Sequence, residues 1–158
     1  MSALIPGANA ALTAENPGLT ELMIGFGWEI IPSRGPQAEL VPLAILCDAH
    51  GKSLSNDHLV FFNQIVSQDG SVAFHDDRDA EEIDVDLARV PAEVAKIVFV
   101  IYVDPDVRGA GDFSSVRSVD VLMFGELYRH RDDWKFRALG QGYSTGLRGV
   151  AADFGIDL

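Results

Sequence analysis

Lys96 to Val103 reads KIVFVIYV, an unbroken apolar and aromatic run after a single lysine. It is far shorter than the roughly 18–20 residues of a membrane helix. Its β-branched and aromatic content argues for a strand at the centre of a sheet. Similar short runs lie on both sides of it, separated by turn residues. Downstream, Val119–Tyr128 and Trp134–Leu139 flank His130-Arg131-Asp132-Asp133, which reads as a hairpin. Upstream, Ile83, Val85 and Leu87 alternate with Glu82, Asp84 and Asp86, the pattern of a half-buried strand. Leu59–Val66 (LVFFNQIV) and Ser71–Phe74 flank Gln68-Asp69-Gly70, a second hairpin signal, because glycine accepts positive φ. Leu40–Cys47 is apolar except for Pro42, which favours an edge position or a bend there. In Leu19–Trp28 (LTELMIGFGW), Gly25 and Gly27 suggest a bulge or a close backbone approach.

Helical periodicity is confined to the C-terminus, where Leu147, Val150, Ala151 and Phe154 share one face. Ser144 or Thr145 is placed to cap its start and Gly155 to end it. Eight or so short strands with one terminal helix predict an all-β chain, a two-sheet β-sandwich with one short C-terminal helix. No linker, repeat or low-complexity tract interrupts it, so residues 1–158 are expected to form one domain.

Twelve Lys and Arg against 24 Asp and Glu give a formal net charge of −12. That sign opposes nucleic acid and anionic lipid and suits cations, basic partners or plain solubility. Lone Cys47 ends an apolar strand and reads as a small buried hydrophobe rather than a reactive thiol. With no disulfide partner, no export signal at Met1–Pro6 and no apolar run for membrane insertion, the expected location is cytoplasmic.

Phe124-Gly125-Glu126-Leu127-Tyr128-Arg129, Trp134-Lys135-Phe136-Arg137-Ala138 and Gly140-Gln141-Gly142-Tyr143 resemble the C-terminal signature of the TerD-like tellurium-resistance and stress-response family. Gly146-Leu147 and Asp153-Phe154-Gly155 continue it. Pro6-Gly7-Ala8-Asn9, Pro17-Gly18-Leu19, Asp69-Gly70-Ser71-Val72 and Val85-Asp86-Leu87 match in order further upstream, so the likeness runs almost end to end. The resemblance implies a β-sandwich, calcium binding, a part in resistance to tellurite and other chemical stress, and no established reaction. Three departures stand out. Glu39-Leu40-Val41 replaces an Asp-Leu-Asp pattern, His75–Glu82 lacks the glycine-containing middle of the family's calcium loop, and only ten residues separate Phe113 from Phe124. Either the sandwich is shortened at the last two places or those segments are missing from the chain as it stands.

The chemistry-bearing residues are mostly carboxylates. Asp76, Asp77, Asp79, Glu81, Glu82, Asp84 and Asp86 surround Arg78 alone, a local charge of −6. A divalent cation relieves such repulsion, and calcium takes six to eight hard oxygen ligands. Glu82, Asp84 and Asp86 repeat about 6.6 Å apart on one strand face, too spread for one ion. The candidate metal ligands are therefore Asp76, Asp77, Asp79 and Glu81, with Asp104 completing the site if the loops at that end meet. Lacking EF-hand spacing, the residues alone leave a solvated acidic loop as the plainer reading; the resemblance adds calcium as the expected cofactor. Protein partners in a stress-response complex, and no catalytic residue, complete the expectation. Two alternatives are a lectin-like sandwich that exposes Trp28 or Trp134 in a concavity, and a hydrolase pairing Glu126 with Asp104. In the plainer reading Glu126 pairs with Arg129 or Arg137.

Overall fold

The computed structural model describes residues 4–26, 39–77, 80–104, 121–143 and 146–156. Among these residues there are nine strands and one α-helix, with a single 3-10 turn at Asn56–His58: β1 (Asn9–Ala11), β2 (Glu21–Phe26), β3 (Glu39–Cys47), β4 (Leu59–Val60), β5 (Val72–Asp77), β6 (Ala80–Asp86), β7 (Lys96–Asp104), β8 (Val121–His130), β9 (Asp133–Tyr143) and α1 (Gly146–Phe154). A six-stranded sheet runs β1-β9-β8-β7-β3-β4, and a three-stranded sheet runs β2-β6-β5. All the strand pairs are antiparallel.

The large sheet is covered on both faces, which explains why β3 and β7 are apolar without alternation. Val41, Leu43, Ile45, Val98, Val100 and Tyr102 pack with Val150, Ala151 and Phe154 of α1. Ala44, Leu46, Ile97 and Phe99 face the other way, against Val72, Phe74, Ile83 and Val85 of the small sheet. Each Val, Leu, Ile or Phe among them, fully buried, stabilises the fold by about 1.5–3 kcal/mol before entropy is counted. β6 alternates as expected, with Ile83 and Val85 inward and Asp84 and Asp86 half-exposed.

Pro42 pairs with Ile101 on β7, while β4 meets β3 only at Ala44 and Ile45. The proline, lacking an N–H, therefore sits where β3 has no second partner among the described residues. The Asp69-Gly70 turn forms, with Gly70 at φ 76°, but Leu59–Val66 is not one strand. Only Leu59–Val60 joins β3, and Val66 bridges to Ala73, because the chain crosses there from the large sheet to the small one. Gly25 stays in unbroken register with Glu82, so no bulge occurs there; Gly27 lies outside the described residues. The register instead shifts between β7 and β8, where Phe99 and Val100 pair with Gly125 and Met123 and leave Phe124 as an extra residue on β8. That extra residue resets the alternation, so Phe124 packs on Phe26 and Leu127 also joins the core toward the small sheet.

Gly155, at φ 70°, ends α1, and its cap candidates Ser144 and Thr145 lie outside the described residues. The helix end is tied down by the Ser53 N–H donating to the Phe154 carbonyl at 2.8 Å. β1 was not anticipated from sequence. It lies along β9, and Trp134 N–H donates to Thr13 Oγ1 at 2.8 Å while that hydroxyl donates to Asp133.

Candidate functional site

The acidic stretch after Phe74 is a hairpin rather than the loop expected. Asp76 and Asp77 finish β5, Ala80 and Glu81 begin β6, and only residues 78–79 lie between. Pairing sets Asp76 opposite Glu81 and Asp77 opposite Ala80. On its other side Glu81 faces Phe26 of β2, and it is 7% exposed. A carboxylate so placed at the inner face of a sheet is costly unless charge or hydrogen bonding compensates. Asp79 lies outside the described residues.

Asp104 ends β7 in the other sheet, opposite Glu39. The connection between β6 and β7 lies beside Lys96, where Arg129 donates to the carbonyls of Val90, Pro91 and Val94. β6 and β7 lead away from that connection, so the hairpin tip and Asp104 share the opposite end of the sandwich. The fold thus sets Asp76 directly across from Glu81, with Asp77 next along β5, and places Asp104 at the same end. Among the described residues, no three His, Cys, Asp or Glu side chains converge as a metal site. His75 is on the exposed side of β5, with its Nε2 2.9 Å from an Asp84 carboxylate oxygen.

Glu126 belongs to a structural network. It is 6% exposed, 3.5 Å from Lys96 and 3.4 Å from Arg137, whose guanidinium also stacks on Tyr128. Arg137 was among the expected partners; Lys96 was not, since only the β7–β8 register places it beside Glu126. Arg129 instead lies 4.4 Å over the Trp134 ring. Glu126 pairs with Val98, six residues before Asp104 on the same strand. That is about 20 Å at the strand repeat, well beyond the roughly 5–10 Å of paired-carboxylate hydrolysis. Trp134 is buried at 5% exposure rather than displayed in a concavity, and Trp28 lies outside the described residues. Cys47 is also buried, and desolvation pushes its thiol up to about 12, against weaker opposition from Lys96. As a thiol rather than a thiolate it is a poor nucleophile.

The TerD domain model matches this chain over residues 1–121 and 117–154. The chain belongs to the TerD family. Tellurium resistance protein TerD of Serratia marcescens is 31% identical to it, covering 98% of this chain and 97% of the relative. General stress protein 16U of Bacillus subtilis is also 31% identical, with the same coverage. These alignments extend over 186 and 188 positions, more than the 158 residues of this chain, so both relatives carry stretches that it lacks. A solved homologue of telluride resistance protein TerD from Streptomyces coelicolor A3(2) superposes with a TM-score of 0.60 at 20% identity, covering 85% of this chain and 96% of its own. That likeness shares the fold of this TerD-family chain.

Proposed function

We propose that this TerD-family protein is a cytoplasmic stress-response protein, acting in tellurite resistance by binding rather than by catalysis, and that it takes up calcium at the β5–β6 hairpin tip. The observation that carries this reading is the register: Asp76 stands opposite Glu81, with Asp77 next to it and Glu81 buried. Opposed residues of an antiparallel pair lie about 4.5–5.5 Å apart at Cα. Carboxylates at that spacing repel, and their hard oxygens suit calcium. Asp76, Asp77, Asp79 and Glu81 would be its holders, with Asp104, at the same end of the neighbouring sheet, completing the set. When bound, calcium would supply charge compensation at this tip. That end, once neutralised, is the surface offered to protein partners of a stress-response complex. Support for the biological role comes from the relatives, which bear the names tellurium resistance and general stress protein.

Thermal melts across a calcium titration test the site. The melting temperature is expected to rise with free calcium, by the equivalent of about 2.7 kcal/mol at a hundredfold excess over the dissociation constant. Amide signals of residues 76–81 are expected to move in step, and Asp76→Asn with Glu81→Gln to abolish both responses. Unchanged melts and unmoved amides at millimolar calcium would sink the calcium reading.

A further inference from the structure

The outward face of the three-stranded sheet carries a charge pattern that the core does not require. β6 is its central strand, and Glu82, Asp84 and Asp86 project outward from it at the two-residue repeat, about 6.6 Å apart. Register places Glu21 directly opposite Asp86, and Met23 and Ala73 on either side of Asp84, with Val66 beyond Ala73. Met23 is 62% exposed and Val66 48% exposed. Glu21, Met23, Gly70, Ala73, Asp84 and Asp86 line a shallow depression of about 370 Å³ on this face. Of the four carboxylates, Asp86 meets Arg89 at 3.6 Å and Asp84 meets His75 at 2.9 Å, so among the described residues one permanent cation stands against four acids.

Aspartate is a poor strand former, and like charges set directly across a pair of strands destabilise it. Both choices cost stability on side chains that point away from the core, and such local conflicts concentrate where a surface has work to do. We propose that this face docks an extended cationic segment of a protein partner, with Lys or Arg at alternate positions over β6 and an apolar residue against the Met23–Ala73–Val66 strip. An extended chain repeats every two residues at the same 6.6 Å or so as the carboxylates, and the exposed apolar strip beside them adds contact area. The acidic sign excludes a nucleic-acid or anionic-lipid partner. This surface is built from outward-facing residues and is separate from the inward-facing Glu81 of the hairpin tip.

The test uses a fluorescein-labelled peptide of alternating lysine and valine, followed by anisotropy with calcium chelated, together with amide mapping on the full chain. Saturable binding is expected, weakening steeply with salt, with shifts gathered at residues 21–25, 73 and 82–86. Glu82→Gln with Asp84→Asn is expected to weaken binding at least about tenfold, and Met23→Ser several-fold, while the distant control Asp132→Asn changes it less than about twofold. Glu82 and Asp84 are half-exposed and Met23 is exposed, so equal melts will show that the fold is intact. Absence of binding, equal losses in the β6 variant and the Asp132 control, or shifts gathered elsewhere would each overturn the proposal. Because calcium is absent throughout, the result is independent of the hairpin-tip reading.

Discussion

At Gly125 a hydrogen is all the space allows. A Cβ there would lie 2.5 Å from Phe136 Cζ and 3.0 Å from the Arg137 carbonyl. Gly125→Ala must displace the Phe136 ring from the core, and we expect a loss of about 1–3 kcal/mol, read by urea unfolding. Asp69 is a second residue whose environment sets its behaviour. Burial pushes its carboxyl up, but hydrogen bonds from the Ser71 hydroxyl and amide and the Ser67 hydroxyl outweigh that, with His58 nearby, and hold it below the usual range. A depressed folded-state pKa means stability present above the unfolded value of about 3.9 and lost as pH falls through the folded one. Asp69→Asn is therefore expected to be less stable than the parent at neutral pH and to lose less on acidification below about pH 4, as unfolding free energies against pH will show.

Among the elements, the β8–β9 hairpin carries one residue in a conformation its side chain resists. Arg131 is the first of the two residues between His130 and Asp133 and has φ 60°. Two-residue hairpin turns with positive φ at that position favour glycine. Arg131→Gly is expected to raise stability by about 0.5–1 kcal/mol, seen as a higher melting temperature. The β5–β6 hairpin has the same antiparallel plan but ends in carboxylates, so its tip is expected to gain from a counter-ion where β8–β9 gains from backbone relief.

For the whole molecule, a net charge of −12 means general self-repulsion in addition to any particular site. Sodium chloride is expected to raise the melting temperature gradually over tenths of molar, as screening shortens the Debye length from about 10 Å at 0.1 M toward 3 Å at 1 M. A calcium response at far lower concentration, and confined to the 76–81 amides, separates specific ligation from this screening. β3 and β7 sit between α1 and the small sheet, so the strand that ends at Asp104 is packed on both faces along its buried residues.

By itself the amino-acid order determined the strand content, the terminal helix with its glycine stop, the Asp69-Gly70 turn and the β8–β9 hairpin. Those features rest on local physics: period-two alternation, helical spacing and the positive φ that glycine tolerates. The family likeness was readable too, because the aromatic, glycine and charged identities from Phe124 to Tyr143 stand close together in sequence. Only the tertiary structure decided that Leu59–Val66 divides between two sheets, that β1 lies on β9 and that Lys96 reaches Glu126. It also decided that the acids after Phe74 oppose one another across a hairpin, with Glu81 turned inward. The alternation of β6 marked its two faces, but no local rule tells which layer will cover which face, since that depends on pairings between residues tens of positions apart.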